Sequence, residues 1–348
     1  MKSATRSSLG VTCAVGLLLM ASAACSSDPS PQGGVTGPVG DPPSSGGAGP
    51  TGAAAPTQTG RIVFTSNIDP AGRWDLFTMR PDGTDVKRLT VLPDPTSPFS
   101  APEWSSDGTQ VVFTSPSPSS HLGQVYRIDA DGSGLTQLTD GTDIDADSAS
   151  WSPDGSKIVM KRAGNAEYAI WIMNADGSGL ERLTGERYDN ADPTFTPDGK
   201  HIVYASAKTG SSAIWIMNLD GSENRRLSPA GLLAASPDVS PDGSHVVFGQ
   251  GYDPFKPASI YTMGIDGSGV TRLTTPECCH HDDLPKYSPD GTQIVYLTDR
   301  NYPHLDGMDI YVMNADGTDQ HPVTSNLTMG GWPDSPYFNA VYPDWGPR

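Results

Sequence analysis

The dipeptide Asp-Gly recurs along this chain at a nearly fixed interval, and that limits the fold more than any other feature. One series follows segments of the Ile/Tyr/Trp-x-Met-Asn type: Asp82-Gly83, Asp131-Gly132, Asp176-Gly177, Asp220-Gly221, Asp266-Gly267 and Asp316-Gly317. Its intervals are 49, 45, 44, 46 and 50 residues. A second series, mostly within Ser-Pro-Asp-Gly, falls at Asp107-Gly108, Asp154-Gly155, Asp198-Gly199, Asp242-Gly243 and Asp290-Gly291. Self-similarity at such a period marks a structure built from repeated supersecondary units.

Residues 147–184 spell out one unit. Ser150-Trp151-Ser152 reads as a short strand and Pro153-Asp154-Gly155-Ser156 as a turn. Lys157 to Lys161, with Ile158, Val159 and Met160, is a second strand. After a variable loop, Ala169 to Asn174 is a third strand, Asp176-Gly177-Ser178-Gly179 a turn, and Leu180 to Thr184 a fourth. Asp-Gly between β-branched runs is a strong hairpin signal, because glycine accepts the positive φ such turns need. Four antiparallel strands per unit predict an all-β, six-bladed propeller. The first unit starts at its second strand, Gly60 to Phe64, and Tyr342 to Arg348 reads as the missing first strand. The tail is therefore expected to complete blade one with residues 60–90. The other blades cover about 101–139, 147–184, 190–228, 235–274 and 282–324. A ring closed in this way leaves few exposed sheet edges, and a monomer is expected. Trp104, Trp151, Phe195, Val239, Tyr287 and Trp345 share one repeat slot and read as core between blades.

Ahead of the repeats, Lys2 and Arg6 precede an apolar run from Leu9 to about Met20, then Ala21-Ser22-Ala23-Ala24-Cys25. This is the pattern of a secretory signal over residues 1–24. The approach to Cys25 resembles a bacterial lipobox, with Ser22 where leucine is usual, and the resemblance implies lipidation of Cys25. Cleavage after Ala23 also fits. Residues 25–59 are mostly Ser, Pro, Gly, Ala, Thr and Asp, the composition of a disordered spacer. The expected domains are thus a signal (1–24), a linker (25–59) and the propeller (60–348).

The chain has 22 basic and 40 acidic residues, a net charge of −18. Such a surface repels phosphate backbones, so a nucleic-acid role is excluded.

The unit Pro-x-Trp-Ser-Pro-Asp-Gly-x-x-Ile-Val-Phe, then Ile-Tyr-x-Met-Asn-x-Asp-Gly-Ser, then Arg-Leu-Thr, resembles the propeller repeat of the TolB-like family across residues 60–348. The resemblance implies an extracytoplasmic, protein-binding propeller. The family's namesake works in the Tol–Pal envelope system and binds a peptidoglycan-associated lipoprotein. It carries an α/β domain before its propeller, where this sequence has the linker. Similar repeats cap prolyl oligopeptidase-type hydrolases, but no Gly-x-Ser-x-Gly elbow occurs here.

The tight Asp-Gly turns fall on one face of the ring. The long, irregular loops fall on the other, where binding sites usually lie. Its candidate binding residues are Asp147, Asp189, Asp192, His280, His281, Asp282, Asp283, Asp299, Arg300 and Trp332. Glu277-Cys278-Cys279-His280-His281-Asp282-Asp283 is the most unusual stretch. Three readings of it stand: a divalent metal site (zinc or calcium) using His280, His281 and Asp283; a vicinal disulfide between Cys278 and Cys279; and a plain polar loop. Asp143-x-Asp145-x-Asp147 starts like a calcium loop but has Ser148 at the glycine position and Asp154 at the last one. Asp147 and Asp283 share one repeat slot, which places both at the channel mouth. Two functions follow: a non-catalytic module docking an envelope protein or peptide, or a metal-dependent lyase or hydrolase using the Cys-Cys-His-His-Asp-Asp loop.

Overall fold

The computed structural model describes residues 60–347 apart from 69–72, 92–100, 119, 141–144, 164–167, 186–187, 252–256, 278–279, 303–306 and 325–339. Its strands form six four-stranded antiparallel sheets, each meeting the next around one ring. The predicted blades are all present. In five of them the four strands are consecutive in sequence.

Blade one is closed as the tail sequence implied. The strand Ala340–Gly346 lies antiparallel to Arg61–Ser66, with Ile62 opposite Trp345 and Val63 opposite Asp344. This pairing joins residues almost 280 apart in sequence, so it sets the ring size. All six slots expected to hold core side chains are buried: Trp104, Trp151, Phe195, Val239, Tyr287 and Trp345. Each packs with the middle strands of the neighbouring sheets, as Phe195 does with Val159 and Ile170 of the blade before it.

The turns show why the repeat is written as it is. In the inner turn of blade three, the Gly155 N–H donates to Ser152 O (2.9 Å), with Gly155 at φ +68°. Nothing lies near its missing Cβ, so its backbone conformation alone calls for glycine there. Gly177, in the outer turn, is also at φ +88°, but a Cβ there would lie 2.6 Å from Leu138 O of blade two. The outer glycines therefore also let one blade approach the next. The Thr of Arg-Leu-Thr has a similarly local job. As the outer strand ends, Thr184 Oγ1 accepts the Ile170 N–H of the third strand (2.9 Å), and Thr139, Ser228, Thr274 and Thr324 repeat the bond.

The inner strands carry one irregularity at one level. Ala101, Ser148, Asp192, Ser236, Leu284 and Tyr342, each three residues before the core slot, all have positive φ, between 20° and 54°. Five of the six inner pairings shift register there, which is a β-bulge. In five cases the next residue is Pro, which cannot supply a ladder N–H. A bulge re-aims the strand, and here it turns the backbone toward the axis.

Candidate functional site

The ring axis holds a cavity of about 80 Å³, lined by the six positive-φ residues and those that follow them. That is room for a few water molecules, not for a drug-sized ligand. The slot just before each core residue reads Glu103, Ser150, Thr194, Asp238, Lys286 and Asp344 around the ring, and Glu103, Ser150 and Lys286 line this cavity.

Lys286 Nζ lies 3.1 Å from Glu103 Oε2 and 3.5 Å from Asp238 Oδ1, so it ties blade six to blades two and five. The carboxylates also stitch neighbouring blades. Asp344 Oδ2 accepts the Trp104 N–H (2.8 Å), Glu103 Oε1 the Trp151 N–H (2.9 Å), and Asp238 Oδ2 the Tyr287 N–H (2.9 Å). Burial works against the Lys286 ammonium. The three carboxylates outweigh it and hold the pKa above the usual lysine value. Asp344 is pushed up to about 7 by burial, opposed by Lys286 and reinforced by Glu103 and Asp238. Asp238 is raised for the same leading reason.

Toward the variable-loop face, Asp192 spans three blades. Its carboxylate accepts from Ser148 Oγ (3.1 Å) in blade three and from the Ser236 N–H (3.1 Å) in blade five. Asp147 and Asp283 do share a slot: each accepts the N–H of its own bulge residue, Ser148 at 2.7 Å and Leu284 at 2.8 Å. Burial raises Asp283 to about 7 against that hydrogen bond, and Asp192 adds to the rise.

Several of the acidic and histidine residues singled out in the sequence meet in blade six. His280 Nδ1 and His281 Nδ1 lie 3.1 and 3.0 Å from the two oxygens of Asp299, which is fully buried and also accepts the His281 N–H at 2.7 Å. The two imidazoles converge on a carboxylate of blade six. Asp283, the third expected ligand, is turned to the Leu284 N–H and packs over Gly249. Among the described residues, no group of three or more His, Cys, Asp or Glu is placed to hold a metal ion. Asp282 is buried and paired with Arg300, whose guanidinium also donates to Gln320 (2.8 Å). Both residues are tied into the blade. Asp189 leads into the strand Asn190–Phe195, and its carbonyl accepts the Ala207 N–H (3.0 Å). In the calcium-like stretch, Asp145 takes the Gly123 N–H and the Tyr168 hydroxyl, and Asp147 lies 3.8 Å from Lys161. Cys25, Cys278, Cys279, Asp143 and Trp332 lie outside the described residues.

Glu103, Asp238, Lys286 and Asp344 were not among the sequence candidates. A signal existed, because strand alternation makes the slot before a buried aromatic face the other way, here toward the axis.

A family model described as the TolB beta propeller domain matches residues 145–336, more than half of the chain. The chain belongs to the TolB β-propeller family. A Tol-Pal system protein TolB from Anaeromyxobacter dehalogenans is 30% identical over 130 residues, 36% of this chain and 27% of that protein. One from Francisella tularensis subsp. mediasiatica is 28% identical over 130 residues and 29% of its length. The chain thus spans little more than a quarter of the curated relatives it matches. The crystal structure of TolB from Acinetobacter baumannii superposes with a TM-score of 0.68 at 21% identity, over 84% of this chain and 68% of that one. At that identity the likeness concerns the TolB-like fold alone.

Proposed function

We propose that this TolB-like propeller is a non-catalytic docking module of the cell envelope, which binds an envelope protein or peptide over the channel mouth on its variable-loop face. One observation carries the reading. Six positive-φ residues and five prolines form a mostly apolar collar around an axial cavity, which suits holding a protruding segment. The metal-dependent alternative draws no support from the His280–Asp299–His281 arrangement. The Tol-Pal names of the relatives favour a partner in the envelope.

The sequence pattern of residues 1–25 supports export and lipid anchoring at Cys25. Arg61 pairs with Gly346 at the tight-turn end of blade one, so a tether joined there leaves the variable-loop face pointing away from its attachment. The test uses the full chain. Cross-linking in envelopes, then binding of the identified partner, is compared with a Leu284→Asp/Tyr342→Ala variant, both positions lying at the mouth. A loss of at least tenfold in affinity is expected, and unchanged affinity would refute the mouth as the docking site. Fractionation of the same cells should find the wild type with membranes and Cys25→Ala in the soluble fraction. Wild type in the soluble fraction would refute the anchor.

A further inference from the structure

Three carboxylates and one ammonium meet on the axis, and each comes from a different blade. Glu103 belongs to blade two, Asp238 to blade five, Lys286 to blade six and Asp344 to the closing strand of blade one. The remaining two blades place the neutral Ser150 and Thr194 in this slot. One ammonium cannot balance three carboxylates, and burial makes the excess negative charge unfavourable. Asp344 is 8% exposed and sits on the one strand held in the ring without a short covalent link to its partner. We propose that this cluster is a proton-operated latch on the closing strand Ala340–Gly346, which holds the strand in the ring while Asp344 is protonated and frees it more often once Asp344 is ionised.

The proton balance is simple. Below neutrality Asp344 is a neutral carboxylic acid, and it can still accept the Trp104 N–H. On ionisation it releases its proton to solvent and adds a further negative charge beside Glu103 and Asp238, opposed by Lys286. Release of the strand returns Asp344 to water, where its pKa falls back to the ordinary value of 3.8. The folded value is raised, so the stabilisation is fully present below 3.8 and is lost as pH rises through about 7. Within that window, opening gains up to roughly tenfold per pH unit. The closing strand also supplies Tyr342 and Pro343 to the channel lining, so its release would reshape the mouth. The latch goes beyond the docking role and does not require that a partner be known.

Hydrogen exchange of the full-length protein tests it, read as protection factors at pH 5 and pH 8. Wild type should lose at least tenfold protection over residues 340–346, while the strand Lys157–Ala163 in blade three stays within twofold. Asp344→Asn keeps an oxygen for the Trp104 N–H and should show no pH dependence over 340–346. Asp283→Asn leaves Asp344 in place and should keep the wild-type fall. That second variant holds the test open if the first does not fold. A flat wild-type profile, an equal fall in Asp344→Asn, a fall shared by blade three, or loss of the effect in Asp283→Asn would each overturn the latch.

Discussion

Aspartate is used in two opposite ways in this ring. Eleven aspartates in the Asp-Gly turns sit at the surface of one face, and every one has its pKa lowered. Asp154 shows why: Ser152 Oγ, the Ser156 N–H and Ser156 Oγ all donate to one of its oxygens, at 2.6–3.0 Å, and hold it at about 2. On the axis, Asp238, Asp283 and Asp344 are raised, with burial as the leading cause in each. Each of these also accepts a backbone N–H, so hydrogen bonding alone does not set the direction. Water around the turn carboxylates makes the difference. The contrast separates aspartates that fold the repeat from those that load its centre with charge.

The strongest way to break the contrast is to remove the cation the axial carboxylates share. Lys286→Met would leave Glu103, Asp238 and Asp344 facing one another without a partner. Removal of one member of a buried ion cluster costs about 3–5 kcal/mol. Urea unfolding at pH 7 should show a loss of that order, and a loss no larger than that of an exposed lysine such as Lys200 would mean the cluster is not coupled.

Asp283→Asn should act in the other direction. The Asp283 pKa is raised to about 7, so its stabilisation is present below the unfolded value of 3.8 and lost as pH rises through 7. An amide cannot ionise and can still accept the Leu284 N–H. At pH 8 the variant should be more stable than wild type by about 1–2 kcal/mol, a figure discounted for its partly open side. At pH 4 the difference should shrink. A variant less stable than wild type at pH 8 would show that the Asp283 charge is compensated by groups other than those named here.

These two positions also mark how far the sequence could be read. The fold was legible because its determinants are local and repeated. The Gly155 φ, the Asp154 hydrogen bonds and the Thr184 cap each lie within a few residues or one hairpin, and the same short strings encode them in nearly every blade. Closure by the tail was legible as well, since Asp344-Trp345 copies the slot of Glu103-Trp104. The site was only half legible. His280, His281, Asp282, Asp299 and Arg300 stood out as breaks in the repeat, but their types fitted a metal or an open binding surface as well as they fit ion pairs within the blade. The position of Asp299 between the two imidazoles depends on strand register, which residue types alone do not give. Glu103 and Lys286 were missed because they are 183 residues apart and meet only across the closed ring. No local pattern encodes a contact between blades that are not neighbours in the ring.

The smallest expected effect comes from making the same Asp-to-Asn change on the turn face. Asp154 is exposed, and its pKa is lowered to about 2, first by the Ser152 hydroxyl and then by the donors of Ser156. Here the folded value lies below the unfolded one, so the stabilisation is present above 3.8 and lost as pH falls through 2. An amide at this position would keep one acceptor oxygen but not the charge that strengthens three hydrogen bonds. Ten similar turns remain, and solvent screens each charge. Asp154→Asn should therefore lower the melting temperature slightly at pH 7 and by less at pH 2. Asp283→Asn should raise it at pH 8, and melts across that pH range check both. If the two variants shift in the same direction at every pH, burial does not separate the two classes of aspartate, and the charge on the axis would have to be balanced by something other than the proton on Asp344.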